Sequence, residues 1–215
     1  MQRSAELEFF QFKRTPRANP AAYLLPRIKV PIMQLRNSTS RYGAIPQAVH
    51  WLTALFVVAG WLLGQFGHDL PKGGAREFGF LVHMTLGQCV LVLLVVRLIW
   101  RFVDRPPPAE ATPFGKLVEI AAKLSHFALY ALLVVVPFLG IIVQLKRGHD
   151  LPILGVWNFT SPWPADRAIA RTMLGLHAYL ADALLILAGV HACAAIIHHH
   201  VWRDRTLTRM LPGAS

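Results

Sequence analysis

Four long apolar runs divide the chain, each bounded by charged or proline-bearing stretches. The first runs from about Ile45 to Phe66 and opens with Pro46, a residue suited to the first turn of a helix. The second runs from about Phe78 to Trp100. The third begins near Lys116 and continues to Leu145; its apolar part starts at Phe127, because Glu119 and Lys123 belong at an interface. The fourth runs from Leu174 to Val201. Each approaches or exceeds the roughly 20 apolar residues that a helix needs to cross a bilayer. The pattern predicts an all-α fold, an integral membrane four-helix bundle. Pro137 falls inside the third run, where it predicts a kink.

The intervening stretches fit that reading. A short polar segment with His68, Asp69, Pro71, Lys72 and Arg76 follows the first helix. Residues 101–116 (RFVDRPPPAEATPFGK) are basic and proline-rich, hence non-helical and outside the bilayer. Residues 146–171 carry Trp157 and Trp163, whose amphipathic rings favour the headgroup level. Residues 1–40 are polar, basic and broken by Pro16, Pro20, Pro26 and Pro31. Their longest apolar fragment, AAYLL, is too short for a signal-peptide core or a membrane helix. The expected organisation is a flexible tail over 1–40 and a transmembrane domain over 41–212. Met33 offers an alternative start, in which case residues 1–32 are not translated.

Composition agrees. The chain is 215 residues long, 54% hydrophobic and only 15% charged, too apolar for an ordinary water-soluble domain. A formal net charge of +11 raises the question of nucleic acid, but the basic residues fall between the apolar runs, where they set topology. Lipid, and not nucleic acid, is the expected partner. The tail 1–41, the stretch Arg97 to Lys123 and the segment from Arg203 hold eight, five and three Lys or Arg, against six on the other side. That imbalance predicts both termini in the cytoplasm. Cys89 and Cys193 lie inside apolar runs without a C-x-x-C or C-x-x-C-H pattern, which predicts packing roles and no covalently attached haem.

Candidate chemistry centres on histidine. His177 and His191 stand fourteen residues apart on the fourth helix, on nearly the same face and about 21 Å apart along its axis. His50 lies near the start of the first helix and His83 near the start of the second, so each matches one of them in depth. Unpaired ionisable groups are costly in a membrane. Two bis-histidine b-type haems, one on His83 and His177 and one on His50 and His191, would satisfy all four at once. A zinc site would need about four ligands at one point, whereas these split into pairs. Gly60 and Gly64 make a face on which a backbone or a flat ring could lie closely, and Gly87 sits one turn after His83. Asp182 lies about 140° around the helix from His177 and is read as a hydrogen-bonding contact to a neighbouring helix. His68 and His149 read as solvated loop residues; His126 and His198, His199 and His200 read as anchors at the cytoplasmic membrane edge.

The chain resembles the bacterial cytochrome b561 family from about Arg36 to Pro212. The resemblance rests on RYG followed by HWL at His50, HMTLG at His83, SHFALY at His126, HAYLADALLILAGVHA at His177 and His191, and the closing HHHVWRDRTLTRMLP. It implies a bacterial inner-membrane protein with two haem b groups. His50, His83, His177 and His191 match the family's axial ligands, and the implied activity is electron transfer between a donor and the quinone pool. Superoxide is an implied periplasmic donor in some members. The long tail before Met33 departs from the family pattern. Two functional classes follow. In one the protein is itself an oxidoreductase of superoxide-oxidase or quinone-reductase type, taking electrons from a small donor. In the other it is a haem-carrying relay subunit for a protein donor, a partner dehydrogenase or soluble cytochrome. Arg41, Arg97 and Arg101 at one face, and Lys72, Arg76, Arg147 and Arg171 at the other, are candidate partners for haem propionates.

Overall fold

The computed structural model describes residues 34–108, 110 and 115–213. Most of the expected tail, including the proposed start at Met33, therefore lies outside the described residues, as do 109 and 111–114 of the proline-rich loop. The described chain forms four long helices: α1 (Ala44–Phe66), α2 (Gly74–Val103), α3 (Gly115–Lys146) and α4 (Arg167–His200). All four are long and apolar enough to cross a membrane. Their outward surfaces agree, since Leu55, Val95, Ile99, Phe127, Ile186 and Val190 are exposed on the bundle. In lipid that exposure is favourable, and helices satisfy their own backbone groups.

Two helices start earlier than the apolar runs suggest. α2 begins at Gly74, with Glu77 in its first turn, where a negative charge complements the helix dipole. α4 begins at Arg167, because the Asp166 carboxylate caps it by accepting from the Ala168 and Ile169 amides, both at 3.0 Å. Pro137 lies inside α3 without ending it.

The stretch between α3 and α4 holds a small antiparallel ribbon, Leu151–Ile153 against Trp157–Phe159, which hydropathy did not foretell. Its turn places Leu154 at φ 50°, unusual for a branched residue, followed by Gly155 at φ 72°. Gln88 of α2 holds this turn from both sides: its amide donates to the Pro152 carbonyl at 2.6 Å, and its carbonyl accepts from the Leu154 amide at 2.8 Å. Trp157 and Trp163 are both exposed, as rings at a headgroup level would be.

The opposite end is closed by the segment after α4. The Gln47 side chain donates to the Arg209 carbonyl at 3.2 Å, the Trp51 indole to the Met210 carbonyl at 2.8 Å, and Arg41 to the Leu211 carbonyl at 2.9 Å. Residues 34–43 are fastened as well. The Asn37 amide donates to the Asp104 carboxylate at 2.7 Å, and its side-chain oxygen accepts from Gly43 at 3.0 Å. Gly43 has no room for a side chain, as a Cβ there would lie 2.4 Å from the Leu35 carbonyl oxygen. The bundle thus has a ribbon end and a terminal end.

α1 packs chiefly on α2 and α3 chiefly on α4, while α1 and α4 touch only lightly. Midway between the ends, Val90, Leu94, Leu133, Val136 and Leu184 form a buried apolar cluster.

Candidate functional site

The ribbon end brings His83 of α2 and His177 of α4 together across the bundle. Their ring centroids are 6.0 Å apart, with planes inclined at 77°. Each ring is anchored to the backbone of a third helix. His83 Nδ1 lies 2.8 Å from the Gly60 carbonyl of α1, and His177 Nδ1 lies 2.9 Å from the Val136 carbonyl of α3. A carbonyl only accepts, so Nδ1 carries the proton in both rings and Nε2 keeps its lone pair. Two imidazoles on one metal along a common axis, with bonds of about 2.0–2.1 Å, would place their centroids roughly 6 Å apart. The ribbon-end pair therefore fits a bis-histidine metal group in both spacing and tautomer.

The terminal end is built differently. His50 of α1, His126 of α3 and His191 of α4 lie within electrostatic reach of one another and of Arg97 from α2. His191 packs edge-on against His126, at 5.2 Å between centroids. Arg97 Nη1 lies 3.3 Å from His50 Nδ1. The Arg97 guanidinium also stands 5.5 Å from the centre of the Tyr130 ring. His50 and His191 come to the same end of the bundle, and His126 comes with them.

Several other sequence readings find their places. The ring that approaches the Gly60–Gly64 face is an imidazole: a Cβ on Gly64 would lie 3.3 Å from His83 Cε1. One on Gly87 would meet only Pro137, at 3.9 Å. Asp182 ties α4 to α1, accepting from the Trp61 indole at 2.7 Å and the Gln65 amide at 2.8 Å. These groups, with Phe66, Leu185 and Ile186, line an open groove of ≈ 340 Å³. Of the candidate propionate partners, Arg41 is engaged by the Leu211 carbonyl and Arg76 by the Leu70 and His68 carbonyls. Lys72, Arg147 and Arg171 are exposed. Cys193 is exposed, which corrects its reading as a packing residue; Cys89 is half-buried.

His198 proves to be more than an edge anchor. Its Nδ1 lies 2.5 Å from the Asp204 carboxylate, and its ring stands 4.2 Å from that of Trp202. Burial works to raise the Asp204 carboxyl. The hydrogen bonds from His198 and Thr206, with the charge of His198, outweigh it and hold the group below its ordinary value. Among the described residues no three His, Cys, Asp or Glu converge as a direct metal site.

The family model described as Prokaryotic cytochrome b561 matches residues 41–213. The chain is similar to cytochrome b561 homolog 2 of Escherichia coli strain K12, 31% identical over 185 residues, covering 85% of this chain and 97% of that protein. It is 28% identical over 172 residues to a protein of Yersinia pestis named probable superoxide oxidase CybB, covering 80% and 96%. Cytochrome b562 of Cereibacter sphaeroides is 30% identical over 175 residues, covering 79% and 94%.

Proposed function

The chain belongs to the prokaryotic cytochrome b561 family, integral membrane electron-transfer proteins that hold b-type haem, typically two, and from that premise we propose that His83 with His177, and His50 with His191, ligate one haem each. The observation that carries this reading is the ribbon-end pair, 6.0 Å between ring centroids with both Nδ1 atoms turned to backbone carbonyls. When bound, the haems would supply one-electron carriage between the two ends. The protein's part is to hold and orient the ligands, to separate the two layers with the apolar cluster around Leu94 and Leu133, and to set the charge at each end.

The donor we propose is superoxide, arriving at the ribbon end. Lys72, Arg147, Arg167 and Arg171 are exposed there, and a cationic surface raises the encounter rate of a small anion. The name of the Yersinia relative favours the same donor. The electron acceptor is a membrane quinone. Two superoxide anions each give up one electron and leave as dioxygen; the quinone takes both electrons and two protons to become quinol. The distribution of basic residues supports a bacterial inner-membrane location with the ribbon end outside and both termini in the cytoplasm.

The test supplies superoxide to the purified protein with excess quinone and no partner protein. Catalytic quinol formation, slowed when Arg147 or Arg171 is neutralised, is the expected result. No turnover while dithionite still reduces the haems would assign the protein to relay service for a protein donor.

A further inference from the structure

We propose that Gly64 and Gly140 are positioning residues for the ribbon-end ligands: each is the gap through which an imidazole reaches a helix carbonyl and is left with Nε2 as its coordinating nitrogen. The inference rests on the ligand reading above.

A helix carbonyl at position i already serves the amide of position i+4, and side chains lean back toward the helix N-terminus. The side chain at i+4 therefore tends to cover the turn where that carbonyl sits. A second donor can approach only where this cover is missing. On α1 the acceptor is the Gly60 carbonyl, 2.8 Å from His83 Nδ1, and the residue four positions on is Gly64. On α3 the acceptor is the Val136 carbonyl, 2.9 Å from His177 Nδ1, and the residue four positions on is Gly140. A Cβ on Gly64 would lie 3.3 Å from His83 Cε1, and one on Gly140 would lie 3.2 Å from His177 Cε1. Two helices distant in sequence thus present the same device, an open carbonyl with glycine one turn later, to the two rings of one pair.

The glycines elsewhere in the bundle do not share it. A Cβ on Gly189, two residues from His191, meets nothing within 4 Å, and one on Gly87 meets only Pro137. The device belongs to the ribbon end. Its chemical consequence is definite. A hydrogen bond from Nδ1 raises the basicity of the coordinating nitrogen and favours the ferric state, so losing it raises that haem's potential.

The experiment uses the full chain in detergent or nanodiscs. Gly64→Ala and Gly140→Ala are compared with Gly67→Ala, where the added methyl meets nothing within 4 Å. Haem is counted per chain, each haem's midpoint potential is titrated, and the ferric low-spin EPR lines are recorded. The expected result is a raised potential and a shifted EPR line for one haem only in each glycine variant, or selective loss of that haem. The other haem and the Gly67 variant should match the wild type. Both haems bound with unchanged potentials and line shapes in both glycine variants would overturn the proposal. Should either variant fail to insert, the unaltered protein decides. Reduced, ¹⁵N-histidine-labelled protein should show slowly exchanging, hydrogen-bonded Nδ1 protons on His83 and His177, and their absence overturns the proposal. A wild-type protein without two haems would instead sink the ligand reading, so the two failures are distinguishable.

Discussion

The two ends of the bundle hold their histidines by different means. At the ribbon end, both rings are bonded to backbone carbonyls of neighbouring helices. At the terminal end, His50 faces the Arg97 side chain and His191 faces the His126 ring. Backbone acceptors neither titrate nor move independently of their helix, so the ribbon-end tautomer is fixed. Side-chain partners carry charge and can rearrange, so the terminal end is open to tuning. One four-helix frame thus supplies a rigid pair and an adjustable cluster, about 21 Å apart along α4 by helical rise.

The largest effect should come from removing a ligand. His83→Ala or His177→Ala should eliminate the ribbon-end haem alone, halving haem per chain in a pyridine haemochrome assay. His50→Ala or His191→Ala should eliminate the other, while His126→Ala should leave both. Retention of full haem by His50→Ala, with loss in His126→Ala, would transfer the terminal-end assignment from His50 to His126.

A smaller effect should follow from Arg97. Its cation lies beside His50 and disfavours the added positive charge of a ferric iron at that end. Arg97→Gln should lower one midpoint potential in a redox titration, by an amount on the order of 1 kcal/mol at protein-like dielectric, and leave the ribbon-end value unchanged. Equal shifts in both would show that the ends are not electrically separate.

Acid should act at the terminal end first. The Asp204 carboxyl is held below its ordinary value, so its stabilising contribution is complete above roughly pH 4 and is lost as pH falls through the lowered value. Proteolysis after α4 should therefore rise in acid. Asp204→Asn should show faster cleavage already at neutral pH, with the ribbon-end haem spectrum unaltered. Cleavage independent of pH in both proteins would count against the Asp204–His198 clasp.

The smallest effect expected is none. A chain beginning at Met33 should insert, bind two haems and transfer electrons as the full chain does, measured by haem content and quinol formation. Loss of haem from it would give residues 1–32 a role.

Read alone, the sequence settled axial matters: which stretches are helices, and in what order each helix carries its histidines. Run length, charge at the boundaries and a rise per residue are properties of one helix at a time, so Leu174–Val201 could be read with His177 and His191 about 21 Å apart along one axis. The Asp166 cap that starts α4 seven residues earlier was legible too, as an acid just before Arg167, but the charges at 167 and 171 masked it. Packing between helices settled the rotational part. Which face of α1 meets α2 selected Gly64, not Gly87, as the glycine against His83. The packing of α3 on α4 set His126 beside His191, and the light contact of α1 with α4 was bridged by Trp61 and Gln65 on Asp182. Each of these depends on how side chains from separate helices interlock. A periodic pattern gives the angle of a residue around its own axis, but the angle between axes comes from packing.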